Sequence, residues 1–230
     1  MKIEFHCHTT NSFDCNDSLD DKARKYIDLG FDKVYVTDHD ELYTENKYDI
    51  FASGIEVSTT FGHIILLDLK NKPPLNTLWF LVLWSRYFGC KILIPHLNRK
   101  NTGLIERYNS RGVGLQYLNW FISNSHFVEH YNHREKDKLR VEFIHPSTYN
   151  LLLNIEGVYT SDSHSLTDIY QDGTVIDHSG RVVSDVQKSN QFYAFFNSSS
   201  RHKKKGLLEI IFNLILSVRR VIRYVLNGRL

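Results

Sequence analysis

The sequence predicts an α/β protein, a parallel sheet or barrel whose strands and helices alternate along the chain. Two observations predict it. Short apolar runs alternate with helical patterns over most of the length. Polar residues of the metal-binding kinds gather where those runs end, which is where a barrel of this class builds its chemistry. The composition, 42% hydrophobic and 13% aromatic, supports a substantial core, and 230 residues fit one such domain.

"KIEFHCH" reads as the first strand. "SLDDKARKYIDLG" reads as a helix. Ser18 offers the side-chain oxygen that caps free N–H groups, Asp20 and Asp21 suit the positive end of the helix dipole, and Gly30 can end it. "DKVYVTDHD" is the next strand, and "IFASGIEVST" and "GHIILLDL" are two more. "NTLWFLVLWSRYFGC" reads as a buried helix followed by the strand "KILIPHL". "GLQYLNWFISN" and "PSTYNLLLNIEG" read as helices, each leading into a strand, "HFVEHYN" and "VYTSDSH". "NSSSRHKKKG" at 197–206 reads as a linker between a barrel at 1–196 and a helical tail at 207–230.

The charge is split. Residues 201–230 carry +7 and residues 1–200 carry −5. The tail has no proline from Leu207 to Leu226, and one narrow polar stripe of Glu209, Asn213, Ser217 and Arg220 on an otherwise apolar helix. Arg219, Arg220 and Arg223 interrupt it, and a membrane span needs ~20 apolar residues. Three destinations stay open for this basic amphipathic helix: the barrel itself, an anionic membrane surface, or a protein or nucleic-acid partner. Cys7, Cys15 and Cys90 are too few and too scattered for a disulfide framework. No apolar signal segment opens the chain, so a cytoplasmic location is expected, with peripheral membrane attachment through the tail as a variant of it.

The 12 histidines are the unusual count. His6 and His8 share one face of a strand. Asp14 lies in the loop after it. Asp38 and His39 end the second strand, Glu56 ends "FASGI", and His96 ends "KILIP". Asp162 and His164 follow "VYT". His63 sits at a strand start, which implies a local antiparallel excursion. Histidine and carboxylate without thiolate suit zinc, manganese or iron. Nine candidates exceed what one ion needs, so two or three divalent ions are expected. Asp38 and Asp40 flank His39 and suit the orienting of imidazoles or the capping of a loop. Arg99 and Lys100, just after His96, suit a substrate phosphate or plain solvation.

The pieces "HCHTTNSFD", "VTDHD", "GIEVS", "GHIILL", "IPHL", "FVEHYN" and "TSDSH" occur in an order that resembles the PHP superfamily, the polymerase and histidinol phosphatase domains. The resemblance spans residues 3–164. It implies a distorted (β/α)7 barrel of the TIM-like kind, a trinuclear metal site and hydrolysis of a phosphate ester. By resemblance His6, His8, Glu56 and Asp162 hold one ion. Glu56 bridges to a second held by His63 and His96, and Asp14, His39 and His164 hold a third. Glu56, Asp162 and His164 are then the residues that carry catalysis, with metal-activated water as the attacking group. Phe13 departs from the family's usual spacing before Asp14. No cap is inserted between "GHIILL" and "IPHL", which favours an open site and a nucleotide-type phosphodiester. The alternatives are a small-metabolite phosphomonoesterase and a non-catalytic module of the same fold. Nucleic acid is expected as substrate only, because the body is acidic.

Overall fold

Nine strands hydrogen-bond into one mixed sheet in the computed structural model, which describes residues 1–45, 47–111, 114–134, 137–138, 144–171 and 173–176. The linker expected at 197–206 and the tail expected at 207–230 lie outside the described residues. The strands are β1 (Lys2–Cys7), β2 (Lys33–Val36), β3 (Phe51–Thr59), β4 (Gly62–Leu67), β5 (Lys91–Ile94), β6 (Phe127–Asn132), β7 (Asp137–Lys138), β8 (Glu156–Thr160) and β9 (Thr174–Val175). They run β7-β6-β5-β4-β3-β2-β1-β9, with β8 also on β6. Parallel pairing joins β1 to β2, β2 to β3, β5 to β6 and β6 to β8. The circuit nearly closes: Cys7 at the end of β1 pairs with Ser163 just past β8, and the His8 amide donates to the Ser163 carbonyl at 3.0 Å.

The antiparallel excursion implied by His63 is present. β4 pairs antiparallel with both β3 and β5, in a hairpin that sets Glu56 opposite Ile65 and Ser58 opposite His63. The reversal makes the start of β4, not its end, face the same rim as the ends of the parallel strands.

Five helices accompany the sheet among the described residues: α1 (Leu19–Asp28), α2 (Leu78–Phe88), α3 (Leu104–Arg111), α4 (Leu115–Ile122) and α5 (Pro146–Leu152). Ser18 caps α1 by accepting from the Asp21 amide, and Gly30, at φ 73°, turns the chain beyond its last turn. Leu81 and Val82 of α2 and Leu118, Phe121 and Ile122 of α4 are buried against β4 and β5. α3, β7 and β9 have no counterpart in the sequence reading. A second cluster takes Ile3 and Phe5 from β1, Tyr35 from β2, Ile65 and Leu67 from β4, Leu93 from β5 and Val158 from β8. Strands spaced round a circuit share one cluster only across its interior, so these residues fill the barrel as side chains fill small barrels generally.

Candidate metal centre

His6 and His8 converge because β1 and the residue just past its end bring both imidazoles to one point, their Nε2 atoms 3.0 Å apart. Glu56 reaches that point from β3 and Asp162 from the turn after β8. Asp162 Oδ1 lies 3.3 Å from His6 Nε2 and 3.4 Å from His8 Nε2. Glu56 Oε2 lies 3.5 and 3.4 Å from the same two atoms. All four residues are at 0% exposure. Asp162 Oδ1 and Glu56 Oε2 are buried and carry no hydrogen bond. Buried carboxylate oxygens are costly without a partner. Four donors bonded to a zinc-like ion at ~2.0 Å in a tetrahedron stand ~3.3 Å from one another. The His6, His8 and Asp162 donors stand 3.0 to 3.4 Å from one another, close to that figure, so this triad fits a divalent cation, and His6, Glu56 and His96 form a second group beside it.

The other oxygen of Glu56, Oε1, lies 2.9 Å from both His63 Nδ1 and His96 Nε2. His39 Nδ1 lies 3.0 Å from Glu56 Oε2. Asp14 Oδ2 stands 2.9 Å from His164 Nε2 and 3.6 Å from His39 Nε2. His8, Asp14, His39 and His164 thus form a further group able to hold an ion, beside those built on Glu56. All nine residues singled out from the sequence meet at one rim of the barrel. His96 at φ 24° and Asp162 at φ 52° hold left-handed backbone that non-glycine residues rarely adopt. Strain of that kind concentrates at functional sites.

The electrostatics follow from the crowding. Burial pushes Glu56 up, but His6 and the imidazoles of His39 and His63 outweigh it and hold its carboxyl well below the usual range. Burial pushes Asp162 up too, and His6, His8 and Arg99 hold it well below. Burial drives His8 down to about 3. His6 is lowered by burial and raised more by Asp162, Glu56 and Glu129, ending well above its ordinary value. The pocket keeps its carboxylates charged and gathers positive charge onto one imidazole, a role a cation fills better.

Glu129 of β6 is the residue the sequence reading missed. Its Oε1 accepts from His6 Nδ1 at 2.7 Å and from the Thr160 hydroxyl at 2.8 Å. Its Oε2 accepts from the His96 amide at 2.7 Å and from Asn132 Nδ2 at 2.9 Å. Asn132 Nδ2 also donates to Asp162 Oδ2 at 3.1 Å. One carboxylate therefore orients three candidate ligands, and it turns the Nε2 lone pair of His6 inward. The signal was an acid inside the apolar strand "FVEHYN". Asp38 acts through Ser12: Ser12 Oγ donates to Asp38 Oδ1 at 3.0 Å and lies 2.9 Å from His8 Nδ1. Asp40 accepts from the Ser58 amide at 2.8 Å and so fastens a loop to β3. The Arg99 guanidinium donates to Asp162 Oδ2 at the edge of the pocket, while Lys100 is exposed.

No protein-family model and no curated protein matches the chain. Among solved structures the chain is similar to a two-domain protein from Bacteroides vulgatus containing a predicted PHP-like metal-dependent phosphoesterase. The identity is 16%, the TM-score is 0.45, and the match covers 71% of this chain. The chain spans about half of that structure's length, 52%.

Proposed function

We propose that this chain is a metal-dependent hydrolase of phosphate esters, with two or three divalent ions held by His6, His8, Asp14, His39, Glu56, His63, His96, Asp162 and His164. The observation that carries the reading is that these nine histidine and carboxylate side chains fall into overlapping groups able to hold a metal ion, with Glu56 Oε2 and Asp162 Oδ1 buried and without a hydrogen bond. The ordered motifs that resemble the PHP superfamily supply the reaction class. Divalent ions in such a centre lower the pKa of water and neutralise phosphoryl oxygens.

The chain's own groups do the rest. Glu56 presents one oxygen to the His6 and His8 side and the other to His63 and His96, so it suits a bridging role between two ions. Glu129 holds His6 in the tautomer that leaves Nε2 free to ligate. Asp14, His39 and His164 form the more open flank, Asp14 being the exposed member. Arg99, paired with Asp162, adds positive charge at the edge of the pocket, which suits an anionic substrate. His164 Nδ1 donates to the Asp162 carbonyl at 2.9 Å, which leaves Nε2 as the atom that would ligate.

The test is a panel of phosphomonoesters, dinucleotides and short single strands, assayed with Mn²⁺ and with Zn²⁺ beside a metal analysis of the purified chain. Turnover that depends on added metal supports the reading, and the substrate ranking separates diester from monoester. Metal-loaded protein that cleaves none of the panel overturns it.

A further inference from the structure

Phe13 is 87% exposed, yet it is not loosely placed. It sits between two fixed residues. Ser12 is held by Asp38, by His8 Nδ1 and by the His39 amide, which donates to Ser12 Oγ at 3.0 Å. On its other side Asp14 pairs with His164 at 2.9 Å. The Cys15 amide closes the turn onto the Ser12 carbonyl at 3.2 Å. One face of the Phe13 ring stacks on the His39 imidazole, with centroids 5.2 Å apart and planes 25° from parallel. Most of the ring meets solvent. Thr10, Asn11 and Asn16 beside it in the loop are polar and exposed, so Phe13 belongs to no apolar surface formed by its own loop. A single exposed apolar side chain needs no explanation in general. An aromatic ring stacked on His39, a candidate metal ligand, is a different case, because it offers a flat surface beside the proposed reactive centre.

Resting on the phosphoesterase reading above, we propose that Phe13 is the stacking platform for the nucleobase of a nucleotide substrate. Every base has a flat π-face, so the platform selects for a base without selecting which one.

The test compares adenosine 5′-phosphonate with ribose 5-phosphonate, whose P–C bonds resist hydrolysis, on full-length chain loaded with Mn²⁺. Stacking on an aromatic side chain gives the base-bearing ligand a preference of roughly tenfold or more. Phe13→Leu keeps an apolar cap over His39 but removes the ring, and should abolish that preference. Phe13→Trp should keep it. Equal Kd values for the two ligands on the native chain overturn the proposal, as does a preference that survives in Phe13→Leu. A phenyl phosphonate that gains as much from Phe13 as the adenosine compound overturns the nucleotide assignment in favour of an aryl ester. A base preference that behaves as expected in a chain that hydrolyses no phosphate ester overturns only the reaction and leaves the binding site standing.

Discussion

At the scale of single residues, the centre depends on a few carboxylates that each serve several neighbours. Glu56 faces five imidazoles within 3.5 Å, so Glu56→Gln removes the charge that any bridging role requires. The variant should lose at least one equivalent of bound metal and hydrolysis should fall on the order of a hundredfold or more, with far-ultraviolet circular dichroism unchanged. Glu129→Gln tests orientation in place of ligation. Its amide cannot accept four donors, so metal affinity should weaken by roughly 10- to 100-fold, read by competition with a coloured chelator. Wild-type affinity there would mean that the four hydrogen bonds only brace the barrel. The contrast between these two acids shows what a sequence reveals at this scale. Glu56 stood in a recognisable stretch, "GIEVS", beside other candidates. Glu129 acts only through residues from β1, the loop after β5 and the turn after β8, and its partners lie as far as 123 positions away along the chain. No local pattern marks such a residue.

At the scale of elements, the strands were legible because alternation and short apolar runs are local signals. The helix α3 was not: it has only eight residues, and just Leu104 and Ile105 of them are buried, so its apolar signal is too short to stand out. Its approach is set instead by a tight loop from His96 to Gly103. A Cβ on Gly103 would lie 2.5 Å from the Leu97 carbonyl oxygen and 2.7 Å from that of His96. The same loop meets the β3–β4 turn, where a Cβ on Gly62, at φ 94°, would lie 2.2 Å from the Thr102 oxygen. Glycine at these two places lets the loop that carries His96 lie against the turn that carries His63. Gly103→Ala should cost about 1–3 kcal/mol of stability through overpacking and should also weaken metal binding, because His96 has to move. Calorimetry and a metal titration on one preparation check both halves. Behind the pocket, Lys22 and Tyr26 reach from α1 to Ser163: Lys22 Nζ donates to its carbonyl at 2.8 Å, and the Tyr26 hydroxyl lies 2.9 Å from its Oγ. A fully buried lysine is rare without such partners. It braces the turn between Asp162 and His164.

At the scale of the whole molecule, closing the circuit and charging the centre are one problem. Removing metal with a chelator should lower the melting temperature, since a ligand present at 100 times its Kd contributes ~2.7 kcal/mol to the folded state. No change on chelation would count against a resident ion. A separate pH effect comes from His130 of β6, whose imidazole burial holds down to about 4. The unfolded chain takes up that proton near pH 6.5 and the folded chain refuses it until about 4. The stability it contributes is therefore whole above 6.5 and lost as pH falls through that window. Metal-free His130→Gln should lose less stability than the native chain between pH 6.5 and 4, read from urea midpoints. Among the described residues no helix is long and apolar enough to cross a membrane. The seam between β1 and the turn after β8 also bears on how the molecule is made. His6 and His8 leave the ribosome early, but the partners that complete their pocket, Asp162 and Ser163, follow more than 150 residues later, and β9 then seals Lys2 against Val175. A half-made chain carries loose imidazoles and an open sheet edge but no finished pocket. Completion of the pocket thus waits for translation to pass β8, and a chain released before it would bare a sheet edge for aggregation.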